Sequence, residues 1–264
     1  MNPFQKIKFI FVRINIYLRY NKNIYNTIKW ILAGKEITNF TYPIKNNHEL
    51  IHVANAITDL DYNIIKNIID ELDIKNNNNE MKLFFTERFF KEINDPKKFG
   101  RRVLWYILAR AIKPDVIIES GVFKGMGTGL LIFALHKNSH EKPFVKFEYK
   151  GLDIKLNNLF YNEKHSSKVE AQLIEQDSIE FLRNYKDKKK ILYISDAEHN
   201  YDFEMQEYEL IKKNFAPGSI IISDSGSKSL SDFSIVNNKK MICFTENPEE
   251  HWYKGSKCSV SYGY

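Results

Sequence analysis

The sequence predicts a doubly wound α/β domain: a mostly parallel sheet ending in an antiparallel C-terminal hairpin, preceded by an N-terminal helical elaboration. Three observations predict it. From Asp115 onward, short buried apolar runs alternate with helix-period segments. The first of those runs leads into a glycine-rich turn. The last two strand-like runs have no good helix between them. Strands spaced by helices argue for a parallel sheet with helices on both faces. With 264 residues, 43% hydrophobic and 27% charged, the chain has ordinary globular composition and length enough for one large domain with an elaboration.

The net charge of +6 is local. Residues 1–35 carry Lys6, Lys8, Arg13, Arg19, Lys22, Lys29 and Lys35 and no acid, which leaves 32 basic against 33 acidic residues in the rest. A nucleic-acid partner for the whole protein is therefore disfavoured. The same segment holds Phe4, Phe9, Phe11, Trp30 and several Ile, a mixture suited to peripheral contact with an anionic membrane surface. The alternative is a helix pair packing on the body or on a second copy in a homo-oligomer, because the apolar positions of residues 6–20 spread around most of a helical wheel. A secretory signal needs an apolar stretch of about 7–15 residues, and Arg13 breaks the run at 9–12, so none is expected. No apolar run approaches the roughly 18–20 residues that span a bilayer. Two cysteines, Cys243 and Cys258, make no disulfide framework and suit a reducing compartment. A cytoplasmic protein, working at the inner face of the membrane if residues 1–35 bind lipid, is the expectation.

Residues 47–73 show apolar residues at helical spacing, enough for one or two helices. The four asparagines at 76–79 read as a connection, residues 85–93 as a further helix, and Asp95-Pro96 as a break. This sets the expected division: an elaboration over 1–95 and the main domain over 96–264. Residues 101–112 form a buried helix closed by Lys113-Pro114, with Arg101 and Arg102 as its solvated start. The aromatics of 84–106 are read as core.

Strands are then expected at 116–118, 144–152, 171–175, 191–195 and 219–223, with helices around 126–136, 157–168, 178–184 and 202–213. Residues 240–245 and 258–262 form the terminal hairpin at one sheet edge, with Cys243 and Cys258 facing each other across it.

The richest segment is 115–130, DVIIESGVFKGMGTGL. Glycines after a strand let the backbone approach a ligand closely, and the following helix presents its N-terminal N–H groups. The dinucleotide pattern G-x-G-x-x-G fails, since counting from Gly125 or Gly127 puts Leu130 or Ile132 in the third place. A P-loop fails too, because Gly129 is followed by two leucines rather than Lys and Ser or Thr. E-x-G-x-x-x-G fits, through Glu119, Gly121 and Gly125.

With this motif, residues 100–264 resemble the class I S-adenosylmethionine-dependent methyltransferases, whose sheet is Rossmann-like. The resemblance implies that Glu119, Gly121 and Gly125 contact the cofactor. Asp153, in YKGLDI, falls where that superfamily holds the ribose, and Gln176-Asp177 where it meets adenine. The stretch DAEHNYDFEMQEYELIKKNFAPGSIIISDSG is similar to the small-molecule and sugar O-methyltransferases with a D-x-D-H-x-Y-like motif. Carried over, Asp196 lies at the cofactor, and Asp196 and Asp224 are ligand positions for Mg²⁺. The sequence departs from the pattern at Glu198, where Asp is common, and at Ser225, where a second acid would add a ligand.

Methyl transfer to a hydroxyl needs positioning and removal of a proton. His199 is the candidate base, with Glu198 the competitor. The implied acceptor is a small molecule or a glycan hydroxyl. Two rival readings stand beside this one: an RNA methyltransferase, and a non-catalytic cofactor-binding or membrane-associated scaffold. An amine-directed base methyltransferase is disfavoured because Asp196-Ala197-Glu198-His199 stands where an N/D-P-P-Y-like tetrad belongs.

Overall fold

The computed structural model describes residues 42–44, 49–73, 80–92, 99–157, 159–162, 168–225, 228–246 and 256–264. The expected helices of residues 1–35, the asparagine connection at 76–79 and the break at Asp95-Pro96 lie outside the described residues.

The helical period over 47–73 resolves into two helices, α1 (Glu49–Thr58) and α2 (Tyr62–Asp70). Asp59 takes a left-handed φ of 56° between them, and Asp61 caps α2 by accepting from the Asn63 N–H at 2.8 Å. Next come α3 (Glu87–Glu92) and α4 (Arg102–Ile112). Lys113 ends α4 in the left-handed conformation, and Pro114 cannot continue a helix.

The sheet domain then runs β2 (Val116–Ser120), α5 (Met126–Glu141), β3 (Phe147–Asp153), β4 (Val169–Glu175), α6 (Ser178–Asn184), β5 (Ile191–Ser195), α7 (Tyr201–Lys212), β6 (Ile220–Ser223), α8 (Lys228–Val236), β7 (Lys240–Glu246) and β8 (Ser256–Tyr262). With β1 (Tyr42–Ile44) it forms an eight-stranded sheet in the order β1-β7-β8-β6-β5-β2-β3-β4. All pairs are parallel except β6–β8 and β7–β8. The doubly wound sheet with an antiparallel hairpin is the predicted fold.

Side chains alternate across a strand, and β2 shows it directly. Ile117 joins an apolar cluster with Leu50, Trp105, Leu131 and Phe133 from α1, α4 and α5. Val116 and Ile118 join the opposite cluster with Leu182, Tyr208 and Phe233 from α6, α7 and α8. The sheet is thus covered on both faces, and α1 and α2 share the first cluster with α4 and α5.

Four expectations need correction. The hairpin is not at the edge, because β1 adds parallel to β7; three residues are too short for a periodic signal. Residues 159–162 are not helical. Leu159, Phe160 and Tyr161 are consecutive rather than helically spaced, and the chain bends at Phe160. Phe160 N–H donates to Lys124 O at 2.6 Å, and Tyr161 bridges to Phe85. The strand expected from 144 begins at Phe147, because α5 continues to Glu141 and Pro143 follows it. Finally, Cys243 lies opposite Ser259, and Cys258 opposite Phe244. The two thiols therefore point to opposite faces of the hairpin.

Candidate active site

From β2 the chain adds β3 and β4 on one side, then crosses back to add β5 and β6 on the other. Such a switch opens a crevice at the carboxyl ends of the two central strands. The candidate site residues read from the sequence lie at or just beyond the carboxyl ends of β2, β3, β4, β5 and β6.

Gly121 leaves β2 at φ 91°, and a Cβ on it would lie 2.3 Å from the Asp196 carbonyl oxygen, so only glycine fits. Its N–H donates to Leu152 O at 2.8 Å, while Asp196 N–H donates to Ser120 O at 2.8 Å. The ends of β2, β3 and β5 are thereby tied together. The turn closes at Gly125, φ 71°, which is the N-cap of α5. Asp153 holds this turn from the end of β3: Oδ2 accepts from Phe123 N–H at 2.8 Å and Oδ1 from Lys155 N–H at 3.0 Å. A carboxylate has about four acceptor sites, so Asp153 retains capacity for ligand hydroxyls. Asp177 caps α6, its Oδ1 accepting from Ile179 and Glu180 N–H at 2.9 and 3.2 Å. Its cap role is a helix-start signal readable from the sequence.

Glu119 is buried at the end of β2. It shares the Ile117 face of β2, is 1% exposed, and accepts from Thr128 Oγ1 at 3.0 Å and from the Tyr149 hydroxyl beneath α5. Burial pushes its pKa up to about 8, against the lowering effect of those hydrogen bonds. Ser120, one residue on, faces the other way and donates to Glu207 of α7 at 2.5 Å, where Ser178 and Ser195 also donate. Burial raises the Glu207 pKa although the serine bonds oppose it.

A second group sits at the ends of β5 and β6. Asp196, His199 and Asp224 bring one ligand atom each within 4.8 Å of one another. His199 lies between two carboxylates: Nδ1 is 3.6 Å from Glu204 Oε1 and Nε2 4.0 Å from Asp196 Oδ1. Burial pulls the imidazole pKa down. The Glu204 hydrogen bond and the Asp196 and Glu204 charges outweigh burial and the opposing Arg101 charge, and the net shift is upward. Glu204 is itself buried on α7 and accepts from Ser225 at 2.9 Å and from Ser229. Glu198 is half-buried in the same loop.

The start of α4 is not solvated, contrary to the sequence expectation. Arg101 is buried and forms a two-pronged ion pair, Nε to Oδ1 and Nη2 to Oδ2 of Asp224. Arg102 Nη2 lies 3.5 Å from Asp196 Oδ2. Two arginines at the head of a helix whose next seven residues are apolar or aromatic are the available signal for buried acid partners. Glu204 and Glu207, three apart on one helix face, are the acids that sequence reasoning missed.

The donor set does not fit a divalent cation as it stands. Both oxygens of Asp224 are engaged by Arg101, and Ser225, at the place of a second acid, turns its hydroxyl to Glu204. Chemically, the arrangement offers a glycine-lined turn with a hydroxyl acceptor, Asp153, beside a cluster that can accept a proton, His199 with Glu204 and Asp196.

Residues 118–225 match the family model described as a methyltransferase domain. No curated protein matches the sequence. Among solved structures, an SAH-bound methyltransferase from Podospora anserina is 15% identical, over 67% of this chain and 85% of that one, with a TM-score of 0.42. An O-methyltransferase from Bacillus cereus in complex with SAH is 14% identical, over 60% and 78%, also at 0.42. The O-methyltransferase TomG from Streptomyces achromogenes, involved in tomaymycin synthesis and bound to SAM, is 14% identical over 61% and 78%, at 0.40. Residues 118–225 are thus similar to a methyltransferase domain, in line with the class I S-adenosylmethionine-dependent methyltransferases that the sequence motifs resemble.

Proposed function

We propose that the protein transfers the methyl group of S-adenosylmethionine to an oxygen, most simply a hydroxyl of a small molecule or a sugar. The observation that carries this reading is the junction of two groups at one switch point. The Gly121–Gly125 turn anchored by Asp153 meets, through the Gly121–Asp196 contact, the His199 cluster.

In this reading the turn and the start of α5 hold the cofactor's amino-acid end, Asp153 takes its ribose hydroxyls, and the segment before α6 borders its adenine. The cofactor supplies an electrophilic methyl on a sulfonium. Asp196 orients the acceptor, and neutral His199 accepts the hydroxyl proton, its imidazolium then stabilised by Glu204 and Asp196. Glu198 is the competing base. Glu119 supports the site from below, by tying Tyr149 of β3 to Thr128 of α5.

Residues 1–35 are proposed to bring the domain to an anionic surface. Among the described residues, no helix is long and apolar enough to cross a membrane.

Calorimetric titration with S-adenosylmethionine tests the reading, with NAD as control and Asp153→Ala as specificity check. Micromolar binding that the variant loses supports it, and nucleotide sugars, glycans and RNA then serve as acceptors, with mass spectrometry locating the methyl. Folded protein that binds no S-adenosylmethionine sinks it.

A further inference from the structure

Helix α4 begins with two cations that both turn inward to the strand-end acids. Arg101 and Asp224 have side chains only 8% and 1% exposed, and their contact uses both guanidinium prongs and both carboxylate oxygens. Arg102 and Asp196 form the second, looser pair at 3.5 Å. The three groups that converge as cation ligands are Asp196, His199 and Asp224, and one of them is thereby taken.

We propose that Arg101 occupies the place of a divalent cation at the ends of β5 and β6, so that methyl transfer at this site runs without a metal ion. The proposal rests on the methyltransferase reading above and specifies its chemistry.

The physical argument is one of charge and geometry. Guanidinium stays charged at any working pH, and its planar fork matches a carboxylate in a way a point cation does not. Displacing it would leave Arg101 buried without its carboxylate partner, a costly state. Mg²⁺ sheds water reluctantly and wants near-octahedral oxygen ligands. With Asp224 engaged, Asp196 is the one carboxylate of the convergent trio left to offer, and it faces Arg102. Ser225 donates to Glu204 rather than turning to the cluster. The two arginines also face the two aspartates one to one. Arg101 is a positioning residue. It fixes Asp224, whose N–H donates to Ser195 O at 3.0 Å and so joins the end of β6 to the end of β5.

Manganese titration followed by electron paramagnetic resonance tests this on the full chain. The wild type is expected to bind no Mn²⁺ below millimolar concentration, and its melting temperature to be the same in EDTA as in MgCl₂. Arg101→Met keeps the apolar stem and frees Asp224. It is expected to bind Mn²⁺ at least tenfold more tightly than the wild type, and the added Asp224→Asn change to abolish that gain. One Mn²⁺ per wild-type chain, lost in Asp224→Asn, overturns the proposal. So does a folded Arg101→Met protein that gains no Mn²⁺ site. If Arg101→Met does not fold, the wild-type titration and the EDTA comparison still decide. A separate titration with S-adenosylmethionine reports on the methyltransferase reading, whose failure is visible without reference to manganese.

Discussion

Gly121 and Asp196 meet backbone to backbone, and this contact joins the turn after β2 to the loop after β5. A Cβ on Gly121 would stand 2.3 Å from the Asp196 carbonyl oxygen and 2.7 Å from the Ala197 nitrogen, at a φ of 91°. Backbone cannot swing aside as a flexible side chain can. Gly121→Ala therefore combines strain of about 1–3 kcal/mol with a displaced loop, and is expected to lower stability by more than that figure and to abolish cofactor binding. Gly263 is the control: φ is 88° but nothing lies within 4 Å of its Cβ position. Gly263→Ala should cost only the strain. Denaturant titration of both variants measures the difference, and equal losses would remove the contact as the cause.

Glu119 gives a pH signature to stability. Its pKa in the fold is pushed by burial to about 8, from an ordinary 4.5. Between those values the folded state holds a proton that the unfolded chain has released. Stability from this group is thus full below about pH 4.5 and is lost as pH rises toward 8, with a slope of at most about 1.4 kcal/mol per pH unit. Glu119→Gln keeps an acceptor for Tyr149 and Thr128 but cannot ionise. The wild type should lose stability relative to Glu119→Gln between pH 5 and 8, as read from urea midpoints. Parallel midpoints across that range would contradict it.

The cysteines yield a simpler test. Cys243 and Cys258 are buried, and the hairpin register sends them to opposite faces. Burial also pushes the Cys243 thiol up to about 11, away from the reactive thiolate. Neither should react with a thiol-specific chromogen in the native protein, and both should react after unfolding. Fast native labelling, or melting that shifts with reductant, would contradict this placement.

How much of this was legible beforehand follows from which signals are local. The alternation after Asp115, the boundaries of α6 at Ser178 and Asn184 and of β5 at Ile191 and Ser195, and the glycine turn could be read because period, cap and turn chemistry act over a few residues. β1 could not, since three residues carry no period and its pairing with β7 spans some two hundred positions. Helix α8 is hard to read from the sequence because Ser229, Ser231 and Ser234 disguise an apolar stripe made by Leu230 and Phe233. The site divided in the same way. The motif points to Glu119, and the parity of β2 sets it against Tyr149 and Thr128. Arg101 reads as solvated from the sequence because Asp224, its partner, lies 123 residues away.

His199 carries the last prediction. Two acids flank its ring, Glu204 at 3.6 Å and Asp196 at 4.0 Å, while Arg101 opposes them, and the balance with burial leaves the pKa above 6.5. Protonated His199 therefore stabilises the fold below its unfolded pKa, and that contribution is lost as pH rises through the folded value. A base must be neutral to accept a proton, so kcat/KM should rise with pH and reach half its plateau above pH 6.5. Glu204→Gln removes the nearest negative charge and should move that midpoint to lower pH. His199→Ala should leave S-adenosylmethionine binding nearly unchanged, slow transfer by roughly 10²–10⁴-fold, and flatten this limb of the profile. A structural role alone would change stability and leave the midpoint in place. If His199→Ala keeps full turnover with the same pH limb, the proton goes elsewhere, and Glu198 becomes the residue to vary.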